Sequence, residues 1–210
     1  MIYIGIDPGL DGGIAILRDS IIELHKTPVI GGKDYDIQGM KEILFNLTMA
    51  RVVAYKPSVA NLKMPESVFC TIENQISMPG QGLTSTLQTG KGFGIWLGLL
   101  AGLEIPYQVV AAISWQKKLF TGVKGNLDTK AKSEVIAKRL FPTADFRKSE
   151  RARFANDGLT DAACIAEYGK RTHMVGDPGT GIPHTPLAST QEICSVCGRY
   201  IPGDTEGCFK

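Results

Sequence analysis

The chain has no apolar run long enough for a bilayer: its longest, Phe93 to Leu103, falls well short of the ~20 residues a membrane helix needs. It shows no leader pattern either. A strand-like alternation begins at residue 2, which sets the expectation of a cytoplasmic protein with no membrane attachment. Five cysteines are an odd set, which argues against a fully paired disulfide framework. Cys70 and Cys164 lie in apolar surroundings and read as reduced core thiols. No internal repeat is visible. Net charge is nearly missing as well, at +2 over 210 residues, but the balance is uneven. Between Ser114 and Arg153, eleven basic residues face four acidic ones, a local +7 that leaves −5 for the rest of the chain. Such a segment is either a solvated helix face with a loop or a groove for phosphates.

What is present suits a globular domain. Hydrophobic residues make up 43% and charged residues 21%, and the length allows one sizeable core plus a small appendage. Residues 2–7, 12–18 and 21–27 alternate as three strands with short turns, an antiparallel start. Ile37, Met40, Ile43, Leu44 and Leu47 recur at helical spacing, with Asp34 or Asp36 as cap. Residues 66–74 read as a buried strand that delivers Glu73, and a loop then leads into a long helix from about Ser85 to Leu103. A strand at 107–112, a basic amphipathic helix at 128–141 capped by Asp128, and a last helix from Asp157 complete the main domain.

Two features stand apart. Gly90, Gly94, Gly98 and Gly102 recur every fourth residue of the long helix, where each glycine costs up to ~1 kcal/mol. The stripe allows another backbone to approach closely, either the domain's own sheet or a second subunit. After Arg171 the composition turns to a Gly/Pro/Thr linker, followed by Cys194-x-x-Cys197 and Cys208. We place the boundary there, with 1–171 as the main domain and 172–210 as a linker and candidate zinc-binding tail. A structural Zn²⁺ wants four ligands, so His184 or His173 has to complete the set. The alternative is a tail with free thiols.

Asp7 ends the first strand, in "GIDPGLDGG". A charge there costs desolvation unless it is paired or binds a cation; an Asp-Pro-Gly turn alone is the plainer reading. Glu73 ends another strand, and Asp157 and Asp161, four apart, share one helix face. Singly these are a turn, a salt bridge, a cap and a first-turn acid. Together, beside the small residues of "TDAACIA", they describe clustered carboxylates that repel unless hard cations sit among them, and Mg²⁺ or Mn²⁺ suits such oxygens. Two ions about 4 Å apart can serve the attacking water and the leaving oxygen of a phosphodiester. An acidic metal cluster beside a basic segment points to a nuclease.

The motifs "IGIDPGLDGGIAIL", "TIENQ" and the final Asp-x-x-x-Asp-Ala helix resemble the RuvC-like Holliday-junction resolvases of the RNase H superfamily. "MPGQGLTSTLQTGKGFGIWLGLLAGLEIPYQVVAAISWQKKL" looks like the plant chloroplast branch and its bacterial and phage relatives, and the likeness covers roughly residues 1–170. It implies an α/β fold: a mixed five-stranded sheet flanked by helices, with the small Cys-containing tail outside it. It also implies a structure-selective endonuclease that cuts four-way DNA junctions symmetrically as a homodimer, in a bacterial or phage-infected cell, with two Mg²⁺ (or Mn²⁺) per site. Asp7, Glu73, Asp157 and Asp161 match the family's catalytic acids and metal ligands. Lys117 and Lys132 match its active-site and backbone-contacting lysines, with Lys118 beside them on the DNA. Pro79, Gly80, Gln81 and Gly82 match the loop that reaches the junction centre, where Gln81 can read base edges. The last two acids are four apart, as in the chloroplast branch and unlike the three of the bacterial branch.

Three other readings remain open at this level. An RNase H-fold nuclease on another substrate, such as an RNA–DNA hybrid, would carry the same acids. A non-catalytic junction-binding module would not need all four. An actin-like kinase would need a second phosphate loop and a late glycine-rich adenosine segment, which this chain lacks.

Overall fold

The structure, a computed structural model, describes residues 1–53, 67–76, 80–123 and 125–175. Three strands form first, β1 (Ile2–Asp7), β2 (Gly13–Arg18) and β3 (Ile21–Lys26), each antiparallel to the next. The β2–β3 connection is two residues, and Asp19 adopts φ 56° to turn it, a conformation that Asp tolerates better than most side chains. A small hairpin follows, β4 (Val29–Ile30) and β5 (Asp34–Tyr35), and then α1 (Ile37–Val53). Asp36 is the residue that caps this helix, its carboxylate accepting from the Gly39 N–H at 3.0 Å. Asp34 instead sits in the hairpin and pairs with Lys91.

β6 (Val68–Glu73) runs parallel to β1, and β7 (Tyr107–Val110) runs parallel to β6, closing a five-stranded mixed sheet in the order β3-β2-β1-β6-β7. Between them α2 (Leu83–Gly102) crosses one face. The strand expected to continue to residue 112 stops at Val110. Ala111 becomes the cap of a short helix unforeseen from the sequence, α3 (Ala112–Leu119). α4 (Thr129–Leu140) has the expected Asp128 cap, accepting from the Ala131 N–H at 2.8 Å. α5 (Asp157–Val175) is capped by Asn156 and continues past residue 171.

Strand alternation divides the core into two layers. Ile2, Ile4 and Ile6 of β1, with Val68, Cys70 and Ile72 of β6, pack against Met40 and Leu44 of α1 and Trp96 and Leu100 of α2. Tyr3 and Phe69 face the other side, under Trp115, Ile136, Leu159 and Ile165 from α3, α4 and α5. Asp7 has the parity of Tyr3, and Glu73 that of Phe69, so both carboxylates belong to the α3–α5 face.

The long helix does not use its glycine stripe inside the chain. A Cβ placed on Gly90, Gly94, Gly98 or Gly102 would meet nothing within 4 Å. The glycine that the fold needs is Gly92, where a Cβ would sit 2.1 Å from the Tyr35 hydroxyl oxygen. No described helix is long and apolar enough to cross a membrane. Cys194, Cys197, Cys208, His184 and Pro79 lie outside the described residues. His173 packs its ring near Phe69 and Tyr3, at 4.5 and 5.8 Å between centroids.

Candidate active site

The glycines around Asp7 decide where α5 can lie. A Cβ on Gly5 would stand 2.1 Å from the carbonyl oxygen of Ala162, and one on Gly13 would stand 2.6 Å from that of Gly158. Both distances are far inside contact, so α5 rests backbone to backbone on β1 and β2. Ala162, Ala163 and Ala166, all fully buried, complete that seam. The small residues near the acids are therefore the means by which α5 carries Asp157 and Asp161 to the end of β1. Asp7 is already beside Glu73 there, because the parallel register pairs Ile6 with Ile72.

Electrostatics register the gathering. Burial pushes Asp7 from an ordinary 3.8 up to about 8, and the charges of Glu73, Asp161 and Asp157 add to it, while the Gly9 N–H opposes it. Glu73 is pushed up to about 6 by burial and by Asp161, against a hydrogen bond from Trp115. Asp161 is raised too, chiefly by burial, with Asp157 adding to the rise and Ser133 and Lys130 opposing it. Three buried acids held above their ordinary proton affinity, with neighbouring carboxylates adding to the rise, are an arrangement that a cation would relieve.

The donors differ in readiness. The indole N–H of Trp115 donates to Glu73 Oε2 at 2.6 Å, leaving Oε1 to a ligand. Asp161 Oδ1 is buried and makes no close hydrogen bond among the described residues; the buried Ser133 hydroxyl of α4 reaches it only weakly, enough to hold its proton affinity down. An orphaned carboxylate oxygen of this kind is costly unless a cation or a proton satisfies it. Asp157 is half exposed, and Lys130 Nζ donates to its Oδ2 at 2.6 Å. Among the described residues no three acid, imidazole or thiol groups are yet drawn in to ligand distance. The chemistry of the donors nonetheless fits hard divalent cations.

The remaining expected residues fall around this centre. Lys117 and Lys118 are exposed in the last turn of α3; Lys118 lies 5.7 Å from the Tyr168 ring centroid. Lys132 is partly buried on α4. The lysine that touches one of the four acids is Lys130, two positions earlier, and no spacing in the chain singles it out. Trp115 carries no local signal that marks it as the partner of an acid, and it is fully buried in α3, the helix unforeseen from the sequence. In the loop before α2, Gly80 takes φ 85°, and the Gln81 amide donates to Ser85 Oγ at 2.9 Å and to Thr89 Oγ1 at 3.3 Å. Gly82 is the α2 cap residue.

The chain aligns with Thermus thermophilus RuvC in complex with a Holliday junction substrate at TM-score 0.50 and 13% identity, over 87% of this chain and 99% of that one. The fold is the RNase H-like fold of RuvC. A second Thermus thermophilus RuvC structure aligns at TM-score 0.45 and 17% identity, over the same shares of the two chains. By sequence, no family model and no curated protein matches the chain. The RuvC-like fold accounts for the five-stranded sheet and its flanking helices; it does not by itself assign the acids a role.

Proposed function

We propose that this chain is a structure-selective DNA endonuclease that cuts four-way junctions with divalent cations, as a homodimer related to the plant chloroplast branch of RuvC-like resolvases. The observation that carries the reading is the convergence of Asp7, Glu73, Asp157 and Asp161 at one end of a RuvC-like sheet, with a buried oxygen of Asp161 left unsatisfied. Asp7, Glu73, Asp157 and Asp161 hold the cations. Mg²⁺ or Mn²⁺ bound there would supply a nucleophile at neutral pH and stabilise the leaving oxygen of an in-line displacement. Trp115 fixes the rotamer of Glu73, and bound cations would take the place of the proton that burial favours on Asp7. Lys130 gives up Asp157 and sits where negative charge develops on the phosphate.

The basic segment of α3, α4 and the loop before α5 would track the backbone, with Lys117, Lys118 and Lys132 on it, and Gln81 would exchange its bonds to Ser85 and Thr89 for base edges. Symmetric incision needs two sites, hence two-fold symmetry. The unused glycine stripe of α2 supports that second copy. α2 carries a single charge, Lys91, which is spent on Asp34.

The test incubates the protein and Mg²⁺ with labelled four-way junctions, RNA–DNA hybrids and linear duplexes. Paired, symmetric nicks confined to the junction are expected. Cleavage of the hybrid alone would move the chain to the other nuclease reading, and junction binding without cleavage in Mg²⁺ or Mn²⁺ would make it a binding module.

A further inference from the structure

The loop between α4 and α5 contains two phenylalanines with opposite fates. Phe146 is 3% exposed and sits in the core under α5, whereas Phe154 is 82% exposed. The loop that separates them is pinned. The Asn156 N–H donates to the Phe146 carbonyl at 2.7 Å, and Arg147 bridges to Ala155 across it. The Arg147 guanidinium forks onto Asp145 at 2.9 and 2.8 Å and also donates to the Glu150 carbonyl at 3.3 Å. A single exposed phenylalanine is ordinary on a surface. One held outward by a stapled loop, two residues from the helix that carries the acids, is not accounted for by folding.

Its surroundings state what it fits. Phe154, Lys148, Arg153 and Asp157 line a surface pocket of about 330 Å³. Ala152, Ala155 and Asn156 complete its lining. Lys148, Arg151 and Arg153 are exposed, and none is in an ion pair among the described residues. The volume is near the lower bound of about 300 Å³ for ligand sites, room for one unit of a chain and not for a duplex. An aromatic face flanked by unpaired cations is how proteins hold an unstacked base together with its phosphate.

We infer that Phe154 is a stacking platform for one nucleobase of the cut strand, displaced from its pair next to the scissile phosphate, with Lys148 and Arg153 on the adjoining phosphates. This rests on the nuclease reading and goes beyond it, because it assigns a base subsite on the α5 side of the acids, apart from the Gln81 loop. Stacking tolerates every base, so the platform adds affinity for opened DNA without sequence preference.

The experiment uses the full chain and three variants, Phe154→Ala, Phe154→Leu and Phe154→Trp, with junctions carrying 2-aminopurine beside the cut. Binding is measured in EDTA by anisotropy, and stacking by quenching of 2-aminopurine emission. Phe154→Ala is expected to weaken binding by about 5- to 150-fold, the range for losing one stacked base, and to abolish the quench. Its salt dependence should not change, since no phosphate contact is lost. Phe154→Trp should keep both signals and Phe154→Leu should fall with the alanine variant. A leucine variant that binds as tightly as wild type, an alanine variant within twofold of it, or a dimer that dissociates on Phe154→Ala would overturn the platform. If the wild type cuts junctions and the alanine variant is unchanged, the platform alone falls. Wild-type protein that binds neither branched nor single-stranded DNA defeats the nuclease reading along with it.

Discussion

Replacing Asp7 by asparagine should stabilise the cation-free protein while destroying the site. In the folded chain Asp7 is pushed from 3.8 up to about 8, so the native state binds a proton that the unfolded chain releases. An acid raised in this way stabilises the fold fully below its unfolded value, and that stability is lost as pH rises through the folded value. The window is therefore about pH 4 to 8. Each pH unit between the two values is worth about 1.4 kcal/mol, which sets a ceiling of ~6 kcal/mol at pH 8. Asp7 is partly reached by solvent, and protein relaxation raises the effective dielectric around it, so about 2–3 kcal/mol is the expected gain. For a domain of this size that is ~5–10 °C in Tm. The assay is calorimetric unfolding of wild type and Asp7→Asn in EDTA at pH 4.5 and pH 8, repeated with Mg²⁺. The gain should be largest at pH 8 and shrink towards zero at the lower pH. Mg²⁺ should favour wild type by mass action on its intact site, and Asp7→Asn should show no cleavage. An asparagine variant no more stable than wild type at pH 8 in EDTA, or equally favoured at both pH values, would refute the picture of an Asp7 carboxyl pushed up by burial among other acids.

Trp115→Phe removes the 2.6 Å donor to Glu73; Glu73 should then rise further, moving the acid limb of the pH–rate profile upward, and the Mg²⁺ needed for half-maximal rate should increase about tenfold. An unmoved limb would show that the indole only fills space. Lys130→Ala should lower the cleavage rate with little change in the salt slope of binding, whereas Lys132→Ala should flatten that slope by about one unit if it touches a phosphate; the reverse pattern, read by titration at several salt concentrations, would exchange their roles. Gly94→Leu meets no atom within the chain and should stabilise the isolated helix by up to ~1 kcal/mol, yet light scattering should find the variant monomeric; a dimer that survives would take the stripe out of the interface.

Local patterns foretold the scaffold because local chemistry makes it. Period-two alternation from Ile2 to Asp7 places a carboxylate at a strand end on a known face, Asp128 announces the start of α4 by its own hydrogen bond, and an Asp-x-x-x-Asp spacing puts two acids on one side of α5. Those relations span a few residues, so the sequence determined them. What it could not determine were relations set by packing between distant segments. Whether Lys130 or Lys132 meets an acid depends on how α4 is rotated against α5, and a core tryptophan becomes the partner of Glu73 only because α3 lies over the end of β6. The glycines show the same division. Their spacing alone marked the stripe of α2 as a close-packing surface, but the tertiary structure leaves that stripe open and gives the backbone-to-backbone seam to Gly5 and Gly13 instead. A glycine states only that a side chain is missing, and which backbone fills the space is decided when the sheet and α5 come together.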